Sequence, residues 1–202
     1  STQPLVWLSL IYGGVGKEIV SPTPSFDVIG SFGKTIGTTI KPIPVDSNLE
    51  IDLTAMEAAI NDKTSMVVIV NPNNPTSTSL DSAKLSSFCK RVSKKCPICI
   101  DEAYIQYLGS AWRSHSMGSL IKDNPNIIVT RTFSKIYGMA GQRMGFLLAN
   151  SELVTKIENE FMLGFPGNSP NLIGTASAMA ALGDSPFLKE SVRKNNQMKE
   201  RI

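Results

Sequence analysis

Six short β-rich runs alternate with helical patterns along the first 150 residues of this 202-residue chain. They are apolar on both faces and lie at 18–22, 38–45, 65–72, 97–104, 126–135 and 144–150. Strands without a polar face must be covered on both sides, and alternation with helices is typical of parallel strands. The pattern therefore predicts an α/β fold, with a mostly parallel sheet between two layers of helices.

The last two runs form an exception, because only the segment YGMAGQR (137–143) separates them. A parallel crossover needs a dozen or more residues, so we expect these two strands to pair antiparallel. Among the helical segments, 79–95 has Asp81 or Ser82 as its expected cap, and 151–163 has Ser151. Two further helical segments are expected at 171–182 and 185–202.

Composition and charge narrow the class of protein. The chain is 42% hydrophobic and 18% charged, as in one ordinary domain or a large piece of one. Its net charge of +3 is spread without a block of like charge, so nothing indicates a nucleic-acid or membrane surface. No apolar run approaches the roughly 18 residues of a membrane span. We expect a cytoplasmic protein whose chain begins inside a domain.

The cysteines include the pair Cys96 and Cys99 in the segment CPIC, which is a spacing found in redox and zinc sites. Cys99 lies in a predicted strand, however, and residues three apart in a strand point to opposite faces. The remaining cysteine, Cys89, has no second pair to join. We therefore expect free thiols and no metal site.

Several common motifs are absent from the sequence. The segments GGVGKE and SFGKTIG lack the first glycine of a P-loop, since Ile11 and Val28 stand there. No G-x-G-x-x-G dinucleotide fingerprint occurs. The single histidine, His115, lies in a polar segment, and the chain has no G-x-S-x-G elbow, so a Ser-His-Asp hydrolase is not indicated.

Chemically active side chains follow four of the predicted strands. In open α/β sheets, ligands bind at the carboxyl ends of the strands. Each residue alone has an ordinary interpretation as a turn, a helix cap, a core ring or a surface lysine. Their convergence on one edge of the sheet indicates a shared site. The residues are Phe26, Asn74, Asp101, Tyr104, Ser134 and Lys135.

Pyridoxal phosphate is the cofactor that uses this combination. Its aldehyde forms a Schiff base with a lysine, here Lys135, and its ring draws electrons when the pyridine nitrogen is protonated. Asp101 would keep that nitrogen protonated through its opposite charge. Tyr104 and Asn74 would hydrogen-bond the phenolic oxygen of the ring, and Phe26 would stack on its face.

The phosphate group of this cofactor needs donors of its own. Ser134 and Arg143 would supply a hydroxyl and a guanidinium, and a helix start at Ser1 and Thr2 would supply backbone N–H groups. We include Thr132 among the cofactor-binding residues. No residue is predicted to bind a metal.

Three segments in the order VNPNNPTST, CIDEAYIQY and TRTFSKIYGMAGQRMGF resemble the signature segments of fold-type I class I/II aminotransferases. The resemblance is greatest to the histidinol-phosphate aminotransferase-like members. It implies the three-layer large domain of these transferases and the residue roles given above, with Lys135 also moving protons. It further implies transfer of an amino group from an amino acid or amino-alcohol phosphate to a 2-oxo acid such as 2-oxoglutarate, and a homodimer in the full-length form.

The resemblance also sets expectations for domains and departures. Residues 1–163 would form the cofactor-binding large domain, incomplete at its N-terminus, and 164–202 helices that lead toward a small C-terminal domain. Ser77 stands where the family usually has glycine, and it would cost about 1 kcal/mol if the position requires a positive φ. Two alternatives stay open: a decarboxylase of a phosphorylated amino acid, and a truncated module that binds the cofactor without turnover.

Overall fold

A six-stranded sheet forms the centre of the protein in a computed structural model that describes residues 1–162 and 170–201. Each strand coincides with one of the predicted runs, so all the strand predictions are confirmed. The strands are β1 (Glu18–Thr23), β2 (Thr39–Pro44), β3 (Thr64–Val70), β4 (Ile98–Asp101), β5 (Ile127–Thr132) and β6 (Gly145–Leu148).

The strand order is β2-β1-β3-β4-β5-β6, and every neighbouring pair except the last is parallel. Strand β6 runs antiparallel to β5, as the short connection predicted. The carboxyl ends of β1, β3, β4 and β5 therefore meet at one edge of the sheet. In this register Asp101 at the end of β4 is the partner of Thr130 in β5.

The described residues form eight α-helices besides the sheet. Asp81 caps the fourth of them, as predicted, by accepting a hydrogen bond from the backbone N–H of Lys84 at 2.9 Å. The predicted cap Ser151 is wrong by one residue, because Asn150 accepts the bond from the N–H of Leu153. The helices are α1 (Thr2–Tyr12), α2 (Val28–Thr35), α3 (Leu53–Ala58), α4 (Ser82–Val92), α5 (Trp112–His115), α6 (Ser151–Phe161), α7 (Leu172–Gly183) and α8 (Ser185–Lys199).

Helices cover the sheet on both faces and bury two separate apolar cores. Leu8 of α1 and Ile29 of α2 pack with α6 on one face. Phe88 of α4 and Met56 of α3 pack on the other. Each large apolar side chain that is fully buried stabilises the fold by roughly 1.5–3 kcal/mol. The predicted three-layer arrangement is confirmed, and it fixes the strand ends that carry the polar residues.

The cysteines are free and buried, and they belong to different cores. Cys99 packs with α1 and α2, whereas Cys96 packs with α3 and α4, so their sulfurs point apart as predicted. Burial raises the pKa of Cys96 to about 11 and that of Cys89 to about 12. Thiolates react and thiols do not, so these residues are poor nucleophiles at neutral pH.

The C-terminal helices contribute little to either core. Only Gly174 and Ala178 of α7 are buried, and no residue of α8 is. The expected domain boundary between 163 and 164 lies outside the described residues. None of the described helices has both the length and the apolar character that a membrane span requires.

Candidate active site

A cavity of about 150 Å³ opens at the carboxyl edge of the sheet, between the ends of β3, β4 and β5 and the start of α1. All of the predicted site residues except Asn74 line it, together with three residues that the sequence did not indicate. The lining consists of Ser1, Thr2, Phe26, Val70, Asp101, Ala103, Tyr104, Thr132, Ser134, Lys135, Ala140 and Arg143.

Asp101 is the most deeply buried charged residue of this lining, with 1% of its surface exposed. Its Oδ1 accepts hydrogen bonds from the hydroxyl of Thr130 at 2.9 Å and from the N–H of Ala103 at 3.2 Å. Its Oδ2 is buried and has no hydrogen-bond partner among the described residues. Buried polar atoms are normally paired, so this oxygen is free to accept a bond from a ligand.

Burial raises the pKa of the Asp101 carboxyl above its ordinary value, and the hydrogen bond from Thr130 opposes that shift. Removing a carboxylate from water disfavours its charged form. A protonated ring nitrogen against Oδ2 would favour the charged form again. The arrangement is therefore suited to a ligand that brings a positive N–H group.

Lys135 follows β5 and is exposed toward the same cavity. Its Nζ lies 5.2 Å from the centroid of the Tyr104 ring, within the range of a cation–π contact. The turn after it closes through a hydrogen bond from the N–H of Gly138 to the carbonyl of Lys135 at 2.9 Å. Gly138 has φ of 67°, a left-handed conformation that glycine adopts at little energetic cost.

Asn74 reaches the site through Tyr104. The Nδ2 of Asn74 donates to the phenolic oxygen of Tyr104 over a long 3.4 Å. The turn that carries Asn74 contains Ser77 with φ of 60°, so the position usually held by glycine does require a positive φ. Phe26 lines the cavity and is 42% exposed, and its stacking role stays a prediction.

The opposite end of the cavity is rich in donors. The first turn of α1 has backbone N–H groups without partners in the helix, and Ser1 and Thr2 lie there. Arg143 adopts the left-handed conformation with φ of 56°, and its Nη1 donates to the carbonyl of Ala140 at 2.9 Å. Such a conformation is uncommon outside glycine and clusters at functional sites.

At this end of the cavity, Thr132 is hydrogen-bonded to Ser134. Its hydroxyl oxygen lies 2.9 Å from Ser134 Oγ and accepts a hydrogen bond from the N–H of Ser134 at 3.0 Å. It also lies 3.2 Å from the carbonyl oxygen of Met144. Thr132 therefore holds Ser134 in place, and a direct contact between Thr132 and a ligand stays a prediction.

The sequence model of the family Aminotransferase class I and II matches residues 7–202. The chain belongs to this family. An aromatic amino acid aminotransferase of Mycobacterium sp. (strain KMS) is 37% identical over 172 residues, which are 85% of this chain and 46% of the relative. A histidinol-phosphate aminotransferase of Brevibacillus brevis is 34% identical over 197 residues, 98% of this chain and 52% of the relative. The chain thus spans about half the length of these curated aminotransferases.

Solved aminotransferase structures share the fold. The histidinol-phosphate aminotransferase of Sinorhizobium meliloti, in complex with pyridoxal-5'-phosphate, superimposes with a TM-score of 0.87 at 26% identity. The superposition covers 98% of this chain and 52% of that one. It confirms the predicted fold of a PLP-dependent transferase large domain.

Two polar groups around this site were not predicted from the sequence. Buried Asn73 donates to the carbonyl of Pro24 at 3.1 Å and accepts from the hydroxyl of Ser25 at 2.7 Å. It therefore ties the turn of Asn74 to the segment that carries Phe26. An asparagine in a turn is too common to reveal such a role.

Glu102 belongs to the second missed group and is 1% exposed. Its carboxylate accepts from the N–H of Met117 at 2.7 Å and from Nε of Arg131 at 2.9 Å. The hydroxyl of Ser116 donates to it as well. This buried ion pair fastens the segment after β4 to β5, and its only sequence signal was a charged residue inside each of two apolar runs.

Proposed function

We propose that this chain is the cofactor-binding part of a pyridoxal-phosphate-dependent aminotransferase. The reaction moves an amino group from an amino acid or amino-alcohol phosphate, such as histidinol phosphate, to a 2-oxo acid such as 2-oxoglutarate. One observation carries the proposal: the buried Oδ2 of Asp101, which has no partner among the described residues, shares a cavity with Lys135 and with a donor-rich helix start.

The residues present fit the cofactor. When bound, pyridoxal phosphate supplies an aldehyde that bonds covalently to amines and a ring that draws electrons from the substrate. Asp101 Oδ2 would accept a hydrogen bond from the ring nitrogen, and Tyr104 and Asn74 would donate to the ring oxygen. Phe26 would cover one ring face. The phosphate would take bonds from Ser1, Thr2, Thr132, Ser134 and Arg143.

Lys135 has two tasks in this proposal. Its Nζ is the nucleophile that holds the cofactor, and its free amine is the base that moves a proton to and from Cα of the amino donor. Tyr104 lies against this amine, since its ring centroid is 5.2 Å from Nζ. The ring thus limits where Nζ can move within the cavity.

The choice of amino donor is tested by a screen of the full-length gene product with 2-oxoglutarate as acceptor. Histidinol phosphate, phenylalanine, tyrosine and aspartate are compared by kcat/KM. We expect glutamate and the matching carbonyl product with a histidinol-phosphate-like or aromatic donor, since relatives of both kinds match the chain. Release of CO₂ in place of a carbonyl product would identify a decarboxylase, and binding without either product would identify a module that lacks turnover.

The proposal includes a cytoplasmic homodimer of the full-length protein. Residues 1–163 belong to the large domain, and 164–202 lead toward a small C-terminal domain. Buried free cysteines are typical of a reducing compartment. Helix α7 exposes a group of large apolar side chains of the kind that another protein surface usually covers. These are Leu172, Ile173, Met179 and Leu182.

We predict that Leu172→Glu disrupts the dimer. Leu172 is 84% exposed, and a glutamate in the first turn of α7 is compatible with the helix, whereas burying its charge in an interface costs about 3 kcal/mol or more. The dimer dissociation constant should rise by roughly 10²-fold or more. Sedimentation equilibrium measures it. Val15→Glu, at a position 89% exposed, is the matched control and should stay dimeric. A monomeric unmodified protein would contradict the proposal.

A further inference from the structure

We infer that Thr130 is a positioning residue for Asp101: its hydroxyl fixes Oδ1 so that Oδ2 faces the cavity. The inference rests on the proposed function, in which Asp101 is the partner of the cofactor's ring nitrogen. It concerns a residue that touches neither cofactor nor substrate, because Thr130 is absent from the cavity lining.

The sheet register brings the two side chains together. Asp101 and Thr130 are direct partners in the parallel ladder of β4 and β5, and side chains of paired residues lie on the same face of a sheet. Thr130 is 0% exposed, so its hydroxyl has no access to water. The N–H of Glu102 donates to the carbonyl of Thr130 at 2.9 Å, which fixes the backbone at this point.

The two carboxylate oxygens of Asp101 differ in their hydrogen-bond partners. Oδ1 accepts the Thr130 hydroxyl at 2.9 Å and the Ala103 N–H at 3.2 Å, while Oδ2 accepts nothing from the described residues. Without the hydroxyl, only the longer bond would hold Oδ1. The carboxylate could then rotate, and Oδ2 would lose its fixed direction into the cavity.

The hydroxyl also favours the charged form of Asp101, since a hydrogen bond to a carboxylate lowers its pKa. The other titratable or charged groups near Asp101 are Cys99 on β4, Glu102 directly after β4, Tyr104 in the following segment, Lys135 after β5, Arg143 before β6 and the Ser1 amine. None of them donates a hydrogen bond to Oδ1. Loss of the Thr130 hydroxyl should therefore let Asp101 protonate at higher pH.

The test compares Thr130→Val with Thr130→Ser in the full-length gene product loaded with pyridoxal phosphate. Valine keeps the shape and removes the donor, whereas serine restores it. We expect valine to lower kcat about tenfold with little change in KM. In a plot of kcat against pH, the acidic limb should move to higher pH by about one unit. Serine should return both values to those of the unmodified protein.

A second readout does not depend on activity. With cofactor labelled with ¹⁵N in the ring, the nitrogen resonance reports whether the ring nitrogen is protonated. We expect Thr130→Val to shift this titration toward loss of the proton at neutral pH, and Thr130→Ser not to. Thr38→Val removes another buried hydroxyl, one that accepts from the N–H of Gly14 at 2.8 Å, and should change neither readout.

Asp101→Asn separates the failure of this inference from the failure of the proposed function. If Asp101→Asn changes the ¹⁵N titration and Thr130→Val does not, Asp101 is the ring partner and the role of Thr130 is refuted. If neither variant changes it, the proposed function of Asp101 itself is wrong. If Thr130→Val lowers the melting temperature but leaves both readouts unchanged, which is the result expected for Thr38→Val, Thr130 is merely structural and the inference is overturned.

Discussion

Replacing Lys135 with alanine should lower kcat of the full-length protein by about 10³-fold or more, because one side chain supplies both the nucleophile and the proton carrier. Lys135→Arg should fail to a similar extent, since arginine keeps the positive charge but is not deprotonated in proteins. Steady-state kinetics with the preferred amino donor measure both variants. Lys122→Ala, which removes an exposed lysine remote from the cavity, should keep normal activity.

The same assignment can be tested by chemistry on the unmodified protein. Borohydride reduction of the loaded protein followed by peptide mapping should place the pyridoxyl label on Lys135. A label on another lysine, or a Lys135→Ala variant that keeps more than about a tenth of its kcat, would contradict the assignment.

The sheet could be predicted from sequence because its signals are local. Apolar runs bounded by polar turns predicted all the described strands. The short segment 137–143 predicted the antiparallel pairing of β6. The cap of α6 was placed one residue late because Asn150 and Ser151 are both good caps, and composition does not choose between them.

The cavity lining could be predicted for a different reason. Parallel strands deliver their carboxyl ends to one edge, so residues distant in sequence, such as Phe26 and Lys135, were expected to meet there. Asn74 was also expected to line the cavity, but it does not. It is hydrogen-bonded to Tyr104, which does.

Residues that support the site escaped sequence analysis because their signals depend on register. Thr130 looks like an ordinary β-branched strand residue until its partner across the ladder is known to be Asp101. Arg131 and Glu102 point to the opposite face and pair there. A shift of one residue in register would exchange these two sets, and register is not visible in either strand alone.

Asp101→Asn should keep the cofactor but lower kcat by about 10²–10³-fold, because a nearby opposite charge shifts a pKa by about 1–3 units and the amide has no charge to hold a proton on the ring nitrogen. Cofactor retention is expected, since Lys135, Ser134 and Arg143 are unchanged. Absorbance of the bound cofactor and steady-state kinetics separate the two effects. Asp101→Glu, which keeps the charge, should lose less activity than the amide variant. Undiminished transamination by Asp101→Asn would show that Asp101 is not the partner of the ring nitrogen.

Asp101→Asn, which should lower kcat, should make the cofactor-free protein more stable relative to the unmodified protein as pH rises. Burial raises the pKa of Asp101 in the folded state, so between its ordinary and its raised value the folded protein binds more protons than the unfolded chain. The free energy of unfolding therefore falls as pH rises through that window, and the asparagine variant lacks this decrease. Urea unfolding at several pH values should show the difference between the two proteins moving in favour of Asp101→Asn as pH rises. If the difference in unfolding free energy between the two proteins is independent of pH, burial does not raise the pKa of the Asp101 carboxyl. Its unpaired oxygen would then have no preference for a cationic partner.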